Sequence, residues 1–330
     1  MWTTTTTTRF GFSSPRNGAH LTLVAKRYVP PRHAPDGLTL VLSHSTGTHK
    51  ETWEPFLERL VGVAKHPIRE AWAFDMLEHG EGAALNEGAL ARGGFAPEIK
   101  EYSDAIRAFF AAGNFKAHRL VAIGHSVGGP CLLLASAPDE VPGVPFEAIV
   151  LIEATMLTPS VYAANADTHD GALAAARGFA SAPKRQDTWP DRAAARAFLD
   201  RRYPWQLWDA RARALYVRHG LRDAPDGSVT LCCSKQREAN IYRHHEFYYR
   251  AIERMAGIPA AVPVHIVYGD RGDIIPDYVR ECLVAVRPAA VVHEVPDAGH
   301  AVVQENPDGL ADTLSRILSG LSRPGKAARL

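Results

Sequence analysis

The chain has 330 residues, with Lys+Arg 37 against Asp+Glu 36, a formal net charge of +1, 46% hydrophobic and 22% charged residues. That is globular composition, so disorder, collagen and coiled coil are excluded, and the balanced charge argues against nucleic acid as the main partner. Four cysteines (Cys131, Cys232, Cys233, Cys282) in no CxxC spacing form neither a disulfide framework nor a metal or redox signature, which points to a reducing compartment.

Met1-Trp2 followed by six threonines lacks the basic and apolar segments of a secretory signal, and is expected to be a frayed low-complexity end. No apolar run reaches the roughly 18 residues needed to span a bilayer. Short apolar runs rich in β-branched residues occur at 38–44, 70–75, 119–125, 148–154, 264–270 and 291–297. Each reads as a strand buried on both faces, because polar residues do not alternate with apolar ones. Helical patterns lie between them. At 97–113, Ile99, Tyr102, Ile106 and Phe109 share one face and Gly113 suits the C-terminal cap. Strand alternating with helix predicts an α/β fold, a mostly parallel sheet covered on both faces.

The alternation fails over 156–254, where aromatics concentrate: Trp189, Tyr203, Trp205, Trp208, Tyr216, Tyr242, Tyr248 and Tyr249. This stretch reads as a helical insertion between two strands, large enough for a small domain. Its portion 181–223 carries ten Lys/Arg against five Asp, net +5. A solvated helical face would explain that excess; attraction of an acidic substrate such as an acyl-CoA is the sharper alternative.

Gly124-His125-Ser126-Val127-Gly128-Gly129 follows the strand at 119–125 and precedes a helical run at 130–137. This is G-x-S-x-G in the setting of strand, sharp turn and helix. A Cβ at Gly124 or Gly128 would collide with adjacent backbone, and the turn would lift the Ser126 hydroxyl to a helix N-terminus. A serine needs a base. Of the 15 histidines, His300 in Val295-Pro296-Asp297-Ala298-Gly299-His300 lies just after the last strand. Glu153, which closes the run at 148–154, and Asp273 compete for the acid, with Asp270 a weaker third; any of them could orient the imidazole. The oxyanion hole would use the backbone N–H of Val127 and one from the loop after 38–44, with Thr46 the first choice by position. His44 and His79 read as loop-shaping residues.

These residues resemble the α/β-hydrolase superfamily over most of the chain. A narrower resemblance rests on three segments: SHSTGTHKETWEPF (43–56), FDMLEHG (74–80) with Asn86, and, in the insertion, Trp208-Asp209, His219-Gly220-Leu221-Arg222 and residues 229–232. They look like segments of a fungal group that includes a peroxisomal lipase and hydrolases of polyketide-toxin biosynthesis. The resemblance implies Ser126, Glu153 and His300 as the triad, and so favours Glu153. The chain departs from the pattern at Ser45, where glycine usually follows the histidine, and at Gly272, where the group has serine.

The resulting expectation is an α/β-hydrolase fold, with 1–155 and 255–330 as core and 156–254 as a helical cap. The chain would cleave an ester, thioester or lactone of an apolar substrate through an acyl-enzyme, in secondary metabolism or lipid breakdown. It would need no metal or organic cofactor. The alternatives are C–C bond hydrolysis on the same triad, or a hydrolase-like binding protein without catalysis. Asp at the nucleophile position would have meant an epoxide hydrolase or dehalogenase. Ala328-Arg329-Leu330 is a small–basic–leucine variant of S-K-L, an address read by the peroxisomal import receptor, so a peroxisomal matrix location is expected over a cytoplasmic one.

Overall fold

A computed structural model describes Trp2 and residues 4–91, 99–113, 115–138, 142–176, 186–241 and 245–321. The first half runs β1 (Thr4–Ser13), β2 (His20–Val29), β3 (Leu38–Ser43), α1 (Glu54–Val63), β4 (Ile68–Asp75), α2 (Gly80–Ala91), α3 (Ile99–Ala112), β5 (Arg119–His125), α4 (Gly128–Ala135) and β6 (Phe146–Ile152). Between β6 and the next long strand come α5 (Pro159–Ala176), β7 (Thr188–Trp189), α6 (Arg192–Leu199), α7 (Ala210–Leu215), β8 (Leu221–Asp223), β9 (Val229–Leu231), α8 (Lys235–Ile241) and α9 (His245–Ala256). The chain closes with β10 (Val264–Gly269), α10 (Asp277–Val286), β11 (Val291–Val295), α11 (Val302–Glu305) and α12 (Pro307–Gly320).

Eight strands form one sheet in the order β1-β2-β4-β3-β5-β6-β10-β11. β1–β2 and β2–β4 pair antiparallel, and the remaining neighbours pair parallel. Parallel strands need crossovers, and helices supply them on both faces. Leu38, Leu40 and Leu42 of β3, Val121 and Ile123 of β5, and Val150 and Ile152 of β6 pack with α1 and α12 through Phe56, Leu60 and Leu314. The alternate residues Val41, Leu120, Ala122, Ile149 and Leu151 pack with α3, α4 and α9 through Ile106, Phe109, Leu132 and Ile252. Every residue of α4 is buried, as an apolar helix lying across the centre of the sheet requires.

Several expectations need correction. The threonine run is an edge strand: Thr4–Thr8 pair with Ala25–Val29. β-branched threonines suit a strand exposed on one edge, and low complexity concealed that. β11 is an edge strand whose Val291 and Val292 are exposed, so it is not buried on both faces. The insertion contains a three-stranded sheet, β7-β9-β8, whose strands are too short to show a period. Trp189, Trp208 and Tyr216 form a third core with Leu199 and Leu231, while Tyr248 packs in the main core and Tyr203 is exposed. The expected boundary at 254/255 falls inside α9, whose Phe247, Tyr248 and Ile252 belong to the main core. Tyr242 and Ala328-Arg329-Leu330 lie outside the described residues. No helix of the described residues is long and apolar enough to cross a membrane.

Candidate active site

The parallel strands end at one edge, and the next residue after two of them turns sharply. Ser126 follows β5 with φ 52°, and Glu153 follows β6 with φ 48°. Left-handed backbone at a non-glycine residue is strained and concentrates at functional sites. Each turn is held by the neighbouring strand: Ser126 N–H donates to Ile152 O at 2.8 Å, and Glu153 N–H donates to Val267 O at 2.8 Å. The glycines around Ser126 are required. A Cβ on Gly124 would sit 2.5 Å from Gly129 N, and one on Gly128 would overlap Ser43 O and come 2.8 Å from His44 O.

The structure brings Ser126, His300 and Glu153 into one relay. Ser126 Oγ lies 3.0 Å from His300 Nε2, and His300 Nδ1 lies 3.1 Å from Glu153 Oε2. A carboxylate can only accept, so Nδ1–H donates to Glu153 and Nε2 is left to accept the serine O–H. Glu153 is buried, and its other oxygen accepts Gly269 N–H at 2.7 Å. Two donors offset the cost of burying that carboxyl.

Asp273 and Asp270 hold the histidine loop instead of the imidazole. Asp273 Oδ1 accepts His300 N–H at 2.8 Å. Asp270 accepts Asp297 N–H at 3.1 Å and Ala298 N–H at 3.3 Å. Glu305 accepts Gly299 N–H at 2.8 Å and pairs with Arg271. A further anchor, which no local pattern announces, is His125, the first variable residue of G-x-S-x-G. Its Nε2–H donates to His300 O at 2.7 Å. Burial, with His300 nearby, pushes the His125 pKa down to about 3, so the ring is neutral. Arg271 N–H also donates to Ala298 O at 3.0 Å, so four consecutive N–H groups and two carbonyls of the loop 297–300 are pinned.

The loop after β3 is built around neutral histidines. Met76 N–H donates to His44 Nε2 at 3.1 Å, so Nδ1 carries the proton and donates to Ser45 O at 2.7 Å. His79 Nε2 accepts Gly47 N–H at 2.9 Å. Burial lowers both pKa values, that of His79 to about 3. Beneath them, Lys50 is buried with its Nζ 2.8 Å from Asp75 Oδ2 and 3.2 Å from Glu51 Oε1, while Lys50 N–H donates to Asp75 Oδ1 at 2.8 Å. Glu81 N–H donates to Asp75 Oδ2 at 3.0 Å. This is the physical content of the His-Lys-Glu segment: a buried ion cluster ties β3's exit to β4's. Among the described residues, the backbone N–H groups of Val127 and Thr46 are spent on no hydrogen bond. The Thr46 hydroxyl lies 3.4 Å from His79 Nε2. No group of three or more His, Cys, Asp or Glu is placed to hold a metal among those residues.

The sequence matches the alpha/beta hydrolase family over residues 40–313. The chain belongs to that family. Over 127 residues it is 32% identical to Peroxisomal membrane protein LPX1 of Saccharomyces cerevisiae, a stretch that is 37% of this chain and 32% of that protein. The chain therefore aligns with about a third of that relative's length. In structure it is similar to the peroxisomal alpha-beta-hydrolase Lpx1 of the same yeast, with TM-score 0.77 at 18% identity over 99% of this chain and 92% of the other. E-2-(acetamidomethylene)succinate hydrolase gives TM-score 0.64 at 19% identity over 95% and 100%. The thioesterase domain of the curacin biosynthetic pathway gives 0.64 at 14% over 96% and 99%. At such identities the likeness is one of fold.

Proposed function

We propose that the chain is a serine hydrolase that cleaves an ester, thioester or lactone of an apolar substrate through an acyl-enzyme. The observation that carries this is the unbroken relay Ser126 Oγ, His300, Glu153. In acylation, Ser126 Oγ bonds to the carbonyl carbon and its proton passes to His300 Nε2. Glu153 stabilises the imidazolium. The carbonyl electron pair moves onto oxygen, where the N–H groups of Val127 and Thr46 would receive it. Collapse expels the alcohol or thiol, which takes the proton from His300. Water then repeats the sequence: His300 accepts its proton, hydroxide adds to the acyl carbon, and the acid leaves Ser126. None of these steps calls on a metal or organic cofactor. The segment inserted between β6 and β10 would serve as a cap for Ser126, which is 2% exposed.

A panel of chromogenic esters, thioesters and lactones, with a β-diketone as the C–C bond control, tests this. Turnover of an ester-type substrate is expected. Glu153→Gln should lower kcat by about 10³–10⁴-fold, and Asp273→Asn by less than about a hundredfold, since it positions backbone. The reverse ranking would move the acid to the loop after β10, and cleavage of the diketone alone would replace ester hydrolysis.

A peroxisomal location is proposed beside this activity, supported by Ala328-Arg329-Leu330 and by the likeness to a peroxisomal yeast protein. A fluorescent protein carrying residues 322–330 should enter peroxisomes. Import unchanged by deleting the tripeptide would contradict the proposal.

A further inference from the structure

His300 rides on a loop that follows the edge strand β11, whereas Ser126 sits on the turn that leaves the central strand β5. Proton transfer between them depends on the 3.0 Å from Ser126 Oγ to His300 Nε2, and a misplacement of about 1 Å can cost about a hundredfold in rate. Asp273 Oδ1 holds the His300 N–H and Glu153 Oε2 holds the ring, but these acids come from the loop after β10 and the end of β6. His125 joins the two reacting residues directly. It is the last residue of β5, one peptide before Ser126, and its Nε2–H donates to His300 O at 2.7 Å. With the N–H on Asp273 and the carbonyl on His125, both peptide groups flanking the His300 Cα are fixed, and so is the direction in which its side chain leaves the backbone.

Packing does not account for an imidazole at this position. His125 is 1% exposed, and its Nδ1 is buried with no hydrogen-bond partner among the described residues. A buried lone pair without a donor is costly, and an apolar side chain would fill the space without that cost. The Nε2–H bond is what the imidazole adds. The bare Nδ1 also suits the reaction. A proton there would set a second buried cation beside His300, whose ring centre is 5.6 Å away and which itself becomes an imidazolium during acylation. Burial, with His300 nearby, keeps the His125 pKa at about 3. The ring therefore stays neutral through the cycle, keeps its Nε2–H on the carbonyl, and does not compete for the proton in transit.

We propose that His125 is a positioning residue: through its Nε2–H bond to His300 O it ties the base's loop to the nucleophile's turn and so sets the distance across which the proton moves. The proposal rests on the serine-hydrolase reading above. It adds to the relay a side chain that touches neither the substrate nor the travelling proton. A rigid central strand is the element best able to place a loop residue in this way.

The test compares His125→Leu, which fills the site without a donor, with His125→Gln, whose amide nitrogen stands as many bonds from Cα as Nε2 does. Each is measured by the rate of fluorophosphonate labelling and by kcat and KM on p-nitrophenyl butyrate. Labelling forms the Ser126 Oγ–P bond, expels fluoride and passes the serine proton to His300. His125→Leu should label about tenfold to a hundredfold more slowly than the native chain and lose kcat by a similar factor with KM little changed, as expected when transition-state geometry alone is lost. His125→Gln should recover most of that loss. Native-like labelling of His125→Leu overturns the proposal and leaves the serine-hydrolase reading intact. A His125→Gln chain as slow as His125→Leu overturns it too, since the imidazole itself would then be needed. No labelling of the native chain removes the serine-hydrolase reading and the proposal with it. Where a variant fails to fold, the native chain decides. The His125 ring nitrogens, assigned by NMR through its backbone, should show a neutral ring protonated on Nε2 at about pH 5, where an ordinary histidine is charged. A proton on Nδ1 or a charged ring there overturns the proposal.

Discussion

The two corners of the sheet edge that frame Ser126 are built by opposite means. The corner after β3 and β4 is sealed: His44, His79, Lys50 and Asp75 are all nearly unexposed, and neutral imidazoles and a buried ion cluster fix the backbone. The corner after β10 and β11 is half open. Carboxylates near the surface accept a run of N–H groups, with Arg271 outside them. The difference suits what each corner would do. A loop that presents only backbone N–H groups can be closed off from water, whereas a loop that presents an imidazole must leave it free to exchange protons.

The largest expected effect breaks the sealed corner. Asp75→Asn leaves Lys50 buried with Glu51 at 3.2 Å and the partly exposed Glu81 at 3.5 Å, without the carboxylate that also holds its N–H, and should destabilise the fold by about 3 kcal/mol. At the half-open corner, Asp273→Asn keeps an acceptor oxygen and should cost about 1 kcal/mol. Chemical denaturation of both variants checks the ranking; equal losses would mean the corners are held alike.

Acid sharpens the same contrast. His44 and His79 have folded pKa values lowered by burial, His79 to about 3, against about 6.5 unfolded. The unfolded chain therefore binds more protons between those values, and stability present in full above pH 6.5 is lost as pH falls towards 3. Each such histidine contributes a slope of up to about 1.4 kcal/mol per pH unit. Glu78, raised to about 7 by burial, and Asp75, also raised by burial, oppose them above their unfolded values, while His125 and His219, lowered by burial to about 3 and about 4, act in the same direction as His44 and His79: four imidazoles against two carboxyls. The denaturation midpoint should fall from pH 7 to pH 5; a rise would mean these rings are charged in the fold.

The sequence showed this architecture unevenly, for physical reasons. Strands β3 to β6 and β10 are buried on both faces, so their apolar runs stand out, and Ser126 is legible because its turn tolerates only glycine at 124 and 128. His300 followed from its position after the last strand. The acid stayed open between Glu153 and Asp273 because both sit just past strand ends, and only geometry separates a carboxylate on the imidazole from one on the backbone. His125, Lys50 and Asp75 act through partners far apart in sequence, 25 residues for Lys50 and Asp75 and 175 for His125 and His300. No local pattern reports such a pairing. β1 and the short strands of the insertion were missed because exposure and brevity erase the periodic signal; β2 is mostly buried, but Lys26 and Arg27 interrupt its apolar run.

The central claim is that Ser126 is an activated nucleophile. Labelling with a fluorophosphonate probe, followed by mass spectrometry of the intact chain and of its peptides, measures this directly. The native chain should take up one equivalent on Ser126, and Ser126→Ala should take up none. A native chain that remains unlabelled, or labelling retained in Ser126→Ala, would contradict it.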